Sequence, residues 1–401
     1  MSQRLRVLCL DIEGGYGGSS RSLFLALRHI DRAKALPEIW CRKAGPIVSR
    51  YEAENLSVRV APEMPTISSL QHLSRNLFVY SRFFLREWRR SRQFRNELLD
   101  AAAGHFDLVH CNHESLFFVA NWLRSRSRVP ITFHIRTNLY DTLWARYQVK
   151  LIAGAANRLI FITENERSRF QHLLGAETHG RVIYNPAPQP NADIKPYALA
   201  EPEGRYTIAC LSNYSWNRGI DRLIDIAEAL QRRGQQSVHF VVAGNMALPR
   251  SLPGQLGCIA RAGGTLADYA QARGVAGMFE FLGHVDEPER VLMAADALIK
   301  PTRENNPWGR DIIEALAMAR PVITLGSWDG FVRNGETGIL HDRFDATAMA
   351  EDISALAADR SCSASMGTEG QRRVAQLCDP HDRASDLADV WCEAASKARV
   401  S

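Results

Sequence analysis

The chain has 401 residues, of which 46% are hydrophobic and 23% charged. Those values fit an ordinary globular protein and exclude wholesale disorder, collagen and repeat arrays, while ~100–200 residues per domain gives two or three domains, two being the simpler reading. The formal net charge of +5 hides an asymmetry: residues 1–200 hold 28 of the 49 basic and 17 of the 44 acidic side chains, a net of +11, and the remainder carries −6, so the first half is expected to meet something anionic.

Residues 6–12 form a first apolar strand, and its run Val7-Leu8-Cys9-Leu10 is too short for the core of a signal peptide. Gly14-Gly15-Tyr16-Gly17-Gly18-Ser19-Ser20 then turns the chain into a helix with apolar residues at Leu23, Leu25, Leu27 and Ile30. From Phe78 to Asp100 the sequence predicts a basic amphipathic helix, with arginines at 82, 86, 89, 90, 92 and 95 among Phe83, Phe84, Leu85 and Trp88. Strands follow at 107–111, 131–134 and 158–163 with helical stretches between them, the alternation of a parallel, doubly wound α/β sheet. Pro186, Pro188, Pro190, Pro196 and Pro202 mark a linker, set at 188–205, between a first domain at 1–187 and a second at 206–379. The second repeats the pattern, with strands at 206–211, 238–243, 278–282, 297–300 and 321–325 and helices at 220–232 and 311–319, and a last helix covers 380–398. Two doubly wound sheets with a cleft between them are expected, with ligand at the carboxyl ends of the strands. No apolar run approaches the ~18 residues of a membrane span. Cys9, Cys41, Cys111, Cys210, Cys258, Cys362, Cys378 and Cys392 are scattered without a C-x-x-C pair, which supports neither a disulfide framework nor a zinc cluster.

Two places carry chemistry. The turn at Gly17, Gly18 and Ser19 joins strand to helix, where backbone N–H groups can approach a phosphate, although its spacing is not that of a dinucleotide fingerprint and a bare tight turn is the alternative. The run from Pro301 to Ile323 ends a strand, turns through Arg303-Glu304-Asn305-Asn306-Pro307-Trp308 and starts a helix near Gly309. There the N–H groups of Arg310 and Asp311 would seat a diphosphate. Glu314 would take two ribose hydroxyls or, alternatively, pair with Arg310 on the surface. No Asp-x-Asp lies at a strand end, so no metal or cofactor is expected. His110 and His113 lack the carboxylate or thiolate partners of a metal site.

The aromatic-Gly at Trp308-Gly309, the Glu314-Ala315 pair and the closing Pro321-Val322-Ile323 resemble the donor-binding signature of retaining nucleotide-sugar glycosyltransferases of the GT-B fold, the group called family four. Supporting pieces are Arg218-Gly219-Ile220-Asp221, Val241-Val242-Ala243-Gly244, Phe281-Leu282-Gly283 and Asn334-Gly335-Glu336-Thr337-Gly338. The resemblance spans most of the chain and is strongest over 204–345. It implies two Rossmann-like domains facing a central cleft, the first for acceptor, the second for nucleotide sugar, with the last helix packing back on the first. It assigns Glu314 to the ribose, Arg218 to the diphosphate, and Gly17, Gly18, Ser19, Asn213, Asn245, Trp308, Gly309, Arg310 and Asp311 to the donor. His134, Asn306 and Arg218 are its catalytic residues. Two positions depart from the pattern. Asn306 stands where the family has a glutamate, with Glu304 two residues earlier, and Ser212 stands where it has a second cation. An amide is a poor nucleophile, which disfavours a covalent route at that position.

The expected activity is therefore transfer of a sugar, with retention, from a nucleotide sugar to a glycan or lipid-linked acceptor in cell-surface polysaccharide assembly. The location is cytoplasmic and peripheral on the inner face of a membrane, through the basic stretch from Phe78 to Asp100. No nucleic-acid motif accompanies the arginines. A nucleotide-sugar epimerase of the same fold and a non-catalytic nucleotide-sugar binder, the latter motivated by Asn306 and Ser212, stand as alternatives.

Overall fold

A computed structural model describes residues 4–15, 17–67, 76–189, 194–200 and 204–400. The chain divides into two compact units, residues 1–186 with 378–401, and residues 187–377. Tyr16 of the glycine-rich turn, and residues 190–193 and 201–203 of the expected linker, lie outside the described residues.

In the first unit the described residues form a parallel sheet in the order β3-β2-β1-β4-β5-β6-β7. Its strands are β1 (Leu5–Asp11), β2 (Ala35–Cys41), β3 (Ser57–Val60), β4 (Leu108–Cys111), β5 (Ile131–Ile135), β6 (Arg158–Phe161) and β7 (Gly180–Val182). The central strands are apolar almost throughout because both faces are covered. Leu8, Leu10, Val109, Phe133 and Ile135 pack on one face. Val7, Cys9, Leu108 and Ile160 pack on the other against Leu23 and Leu27 of the Gly18–Arg28 helix and Leu387 and Trp391 of the Pro380–Val400 helix. Trp391 is wholly buried, and its indole N–H donates to His110 Nδ1 at 3.3 Å.

The second unit holds a parallel sheet in the order β10-β9-β8-β11-β12-β13, made of β8 (Tyr206–Leu211), β9 (Val238–Ala243), β10 (Phe279–Gly283), β11 (Ala297–Lys300), β12 (Val322–Leu325) and β13 (Gly338–His341). In each sheet the strand order reverses once, between β1 and β4 and between β8 and β11. At such a switch point the loops leave in opposite directions and open a crevice at the carboxyl ends. The proline-rich stretch is held along this unit: Tyr197 N–H donates to the Arg290 carbonyl at 2.9 Å, and Arg290 Nε to the Lys195 carbonyl at 3.1 Å.

The expected single basic helix is broken. Asn76–Arg82 is α-helical, Phe83–Trp88 is π-helical and Arg92–Gly104 is α-helical again. A π-turn inserts an extra residue and so rotates the face of the helix beyond it. Tyr80, Phe83, Phe94 and Leu98 turn inward, while Phe78 is 71% and Leu85 65% exposed. Among the described residues, no helix is long and apolar enough to cross a membrane.

Candidate active site

The second unit gathers most of the expected residues at its switch point. The carboxyl ends of β8 and β9 interlock: Asn213 Oδ1 accepts the Asn245 N–H at 2.8 Å, and Tyr214 N–H donates to the Asn245 carbonyl at 2.7 Å. Gly244 makes this possible. Its φ is +138°, and a Cβ there would lie 2.4 Å from the Ser212 carbonyl oxygen. After Ser212 the chain enters a short 3-10 turn, Trp216–Arg218, and the exposed Arg218 donates to the Ser212 hydroxyl.

The loop from Pro301 to Gly309 is tied down from several sides. Arg303 forks onto both carboxylate oxygens of Asp221 and lies 3.6 Å over the Trp216 ring. Arg222 donates to the Pro301 and Thr302 carbonyls. Glu304 accepts from the Asn217 amide at 3.1 Å and from the Asn306 amide at 3.0 Å. Its carboxylate thereby ties the loop to the Trp216–Arg218 turn. Asn306 Oδ1 is buried with no hydrogen-bond partner among the described residues, an acceptor whose desolvation would cost about 1–3 kcal/mol if nothing met it.

The helix Arg310–Ala317 starts at Gly309, whose φ of +133° suits glycine. It holds because Ile312, Ile313 and Leu316 are buried, worth ~1.5–3 kcal/mol each. Glu314 accepts from Arg310 Nε at 2.8 Å, and the pair is 10% and 3% exposed. It is therefore buried, not the surface ion pair that spacing alone suggests. Trp308 also differs from expectation. Its ring is 5% exposed and packs edge-on to Trp328, so what it presents toward the loop is backbone. The Asp311 carboxylate accepts the Ile312 N–H at 3.0 Å.

One residue in this cluster escaped the sequence reading. Lys300 ends β11; its ammonium donates to the Trp308 carbonyl and lies 3.4 Å from Asp311 Oδ1. The signal was present, a charged residue closing the apolar run Ala297-Leu298-Ile299. Burial pushes the Cys210 thiol up to about 12, and Asp311, Arg218 and Lys300 all act on it, which gathers the three charges around the end of β8.

The first unit holds Gly17, Gly18, Ser19 and His134 in a different setting. Gly17 caps the Gly18–Arg28 helix in an extended conformation, and the Ser19 carbonyl accepts from the Asn112 amide at 3.3 Å. Asp11, wholly buried at the end of β1, accepts from the Ser20 hydroxyl at 2.8 Å and the Tyr51 hydroxyl at 3.4 Å, and burial pushes its carboxyl upward. Gly14 is held for packing, since a Cβ there would lie 2.2 Å from the Lys43 carbonyl oxygen.

His134 was expected as a catalytic residue at the carboxyl end of its strand. It lies within β5 and is 6% exposed. The Arg136 guanidinium sits 3.1 Å from its Nδ1. A guanidinium only donates, so Nδ1 accepts and Nε2 carries the hydrogen. The ring faces a cavity of about 10 Å³, roughly one water in size, shared with Leu23, Tyr184, Asn185, Arg383 and Leu387. Burial, then Arg136, pushes the imidazole well below its ordinary range, so it stays neutral. Arg136 itself bridges strand ends, donating to the Asn112 carbonyl at 2.9 Å and to Asn185 Oδ1 at 2.9 Å. Its backbone N–H and the Thr137 hydroxyl both reach the buried carboxylate of Glu114. His134 is thus tied to this network through Arg136. His110, between Thr132 and Trp391, is held down to about 3 by burial and by Arg136.

Two parallel, doubly wound sheets of this kind define the GT-B fold class. Family models match both units, Glycosyltransferase Family 4 over residues 16–188 and Glycosyl transferases group 1 over residues 205–359. The chain belongs to this family of glycosyltransferases. The GDP-mannose-dependent alpha-(1-6)-phosphatidylinositol monomannoside mannosyltransferase of Mycobacterium tuberculosis is 26% identical over 265 residues, 61% of this chain and 64% of that protein. The D-inositol 3-phosphate glycosyltransferase of Salinispora tropica is 26% identical over 337 residues, 75% of this chain and 66% of its own length. The chain thus matches about two thirds of the length of these relatives. Among solved structures, Anabaena HepE in complex with UDP and glucose superposes with a TM-score of 0.74 at 18% identity, covering 97% of this chain and 100% of that one. Sucrose-phosphate synthase from Thermosynechococcus elongatus gives a TM-score of 0.70 at 17% identity, covering 97% and 99%.

Proposed function

We propose that the chain transfers a sugar, with retention of anomeric configuration, from a nucleoside diphosphate sugar to a glycan or lipid-linked acceptor used in cell-surface polysaccharide assembly. The observation that carries this reading is the switch point of the second sheet. An exposed arginine, Arg218, the amide-bearing start of the helix at Gly309 and the buried Glu314 converge there on the ends of β8 and β11. Relatives named for GDP-mannose and a fold neighbour holding UDP and glucose support the donor class.

In this reading the diphosphate is the leaving group. Its growing charge is met by Arg218 and by the first-turn N–H groups of the Arg310–Ala317 helix, which have no acceptor within the helix. Glu314, oriented by Arg310, takes the ribose hydroxyls. The orphaned Asn306 Oδ1 accepts from a hydroxyl of the transferred sugar. An amide carries no charge and forms no glycosyl ester, so the acceptor hydroxyl attacks the anomeric carbon on the same face that the diphosphate leaves: the bond from C1 to the phosphate oxygen breaks as the new C1–O bond forms, and the hydroxyl proton passes to the departing phosphate oxygen. Asn213 and Asn245 support the wall of the site, and the Gly17-Gly18-Ser19 turn of the first unit offers backbone amides at a helix start.

For the acceptor, exposed Phe78, Leu85 and Leu143, together with exposed Arg82, Arg86, Arg89, Arg90 and Arg92, suit an anionic bilayer surface at the cytoplasmic face. The test is incubation with UDP- and GDP-sugars, alone and with lipid-linked or glycan acceptors, read by NMR of the product. An α-linked product from an α-linked donor is expected. An inverted anomeric centre would overturn the retaining mechanism, an epimerised free donor would favour the epimerase, and binding without turnover would favour the non-catalytic binder.

A further inference from the structure

A nucleoside diphosphate sugar brings two negative charges, and Arg218 alone supplies one full positive charge. The other cations around the loop are committed. Arg303 is neutralised by Asp221, Arg310 by Glu314, and Arg222 is spent on the Pro301 and Thr302 carbonyls. Lys300 is held differently. Its ammonium rests on the Trp308 carbonyl and forms only a long ion pair, 3.4 Å, with Asp311, whose same oxygen already accepts a backbone N–H. The backbone is built to admit it. A Cβ at Gly309 would lie 2.9 Å from Lys300 Nζ, so any side chain there would crowd the ammonium away from the start of the helix. Lys300 also ends the strand next to β8, across the switch point from Arg218.

We infer that Lys300 is the second diphosphate cation. It leaves the Trp308 carbonyl for phosphate oxygens when donor binds, and acts as a point charge beside the fork of Arg218. This assignment rests on the function proposed above. A lysine serving only to brace the loop would affect all nucleotides alike, whereas a diphosphate ligand must discriminate by phosphate number.

The experiment is calorimetric titration of the full chain and of Lys300→Met, Lys300→Gln and Lys300→Arg with UDP, GDP, UMP and GMP. For the diphosphate that wild type binds, Lys300→Met and Lys300→Gln should each weaken affinity roughly tenfold or more. The matching monophosphate should change by less than about twofold, and Lys300→Arg should recover most of the loss. Should Lys300→Met fail to fold, Lys300→Gln carries the same comparison. Diphosphate affinity unchanged in the neutral variants, or an equal loss for mono- and diphosphate, overturns the role of Lys300 and leaves the donor reading intact. Wild type that binds neither UDP nor GDP overturns the donor reading itself, and this inference with it.

Discussion

Both units gather polar groups at the switch point of a parallel sheet, but they use them in opposite ways. In the first, Asp11, Asn112, Glu114, His134 and Arg136 are buried or half-buried and bonded to one another across the ends of β1, β4 and β5. In the second, Arg218 rests on a hydroxyl, Lys300 on a carbonyl, and Asn306 keeps an acceptor without a partner. The first cluster is bonded mainly to itself, with His134 Nε2 left buried without a partner among the described residues, which stiffens a scaffold; the second holds Arg218 on a hydroxyl and Lys300 between a carbonyl and a carboxylate at 3.4 Å, contacts that a ligand can replace. Position at a switch point therefore does not identify a binding site without the state of the hydrogen bonds there.

The contrast can be broken by experiment. The largest effect is expected from Trp391→Ala, which removes a wholly buried indole from under His110 and should cost about 3–5 kcal/mol of stability in denaturant unfolding; a loss under 1 kcal/mol would mean that the last helix is dispensable to the first unit's core. Next, Arg218→Ala should weaken UDP or GDP binding roughly 10–100-fold with its thermal midpoint unchanged. Binding equal to wild type, or a large fall in midpoint, would move Arg218 from ligand to scaffold.

The third effect is on pH. His110 titrates near 3 in the folded chain against an ordinary 6.5. Below pH 6.5 the unfolded chain takes up a proton that the folded one refuses. Stability is thus complete above pH 6.5 and lost as pH falls, by about 2 kcal/mol at pH 5 from this residue. His110→Gln should flatten that acid limb; an equally steep limb in the variant would assign the proton elsewhere. Smallest of all, Arg82→Gln and Arg86→Gln should each reduce partitioning onto anionic phosphatidylglycerol vesicles about fivefold, ~1 kcal/mol apiece. Equal sedimentation of wild type and variants with those vesicles would remove the bilayer from the proposal.

The strands legible in the sequence were the apolar runs, such as Tyr206–Leu211 and Val238–Ala243, because buried parallel strands have no need of polar alternation. β2 was hidden by Pro37 and Glu38 in its middle, and β3 and β7 by their short, half-polar edge sequences. The donor loop was legible as a motif, and its position at the end of β11 follows from the strand–turn–helix pattern. What could not be read were contacts between distant residues. Nothing near Glu304 announces that Asn217 holds it. Spacing pairs Arg310 with Glu314 but cannot tell a buried pair from an exposed one. The burial of His134 was not legible because its partner's orientation, and the helix Pro380–Val400 beside it, are set by residues far along the chain.

That final helix also sets an order of events during synthesis. Residues 187–377 emerge from the ribosome as one uninterrupted block, whereas the first unit lacks Leu387 and Trp391 until that whole block has been made. At ~5–20 residues per second, its core waits about 10–40 s for its last layer. The unit encoded first is thus the one completed second.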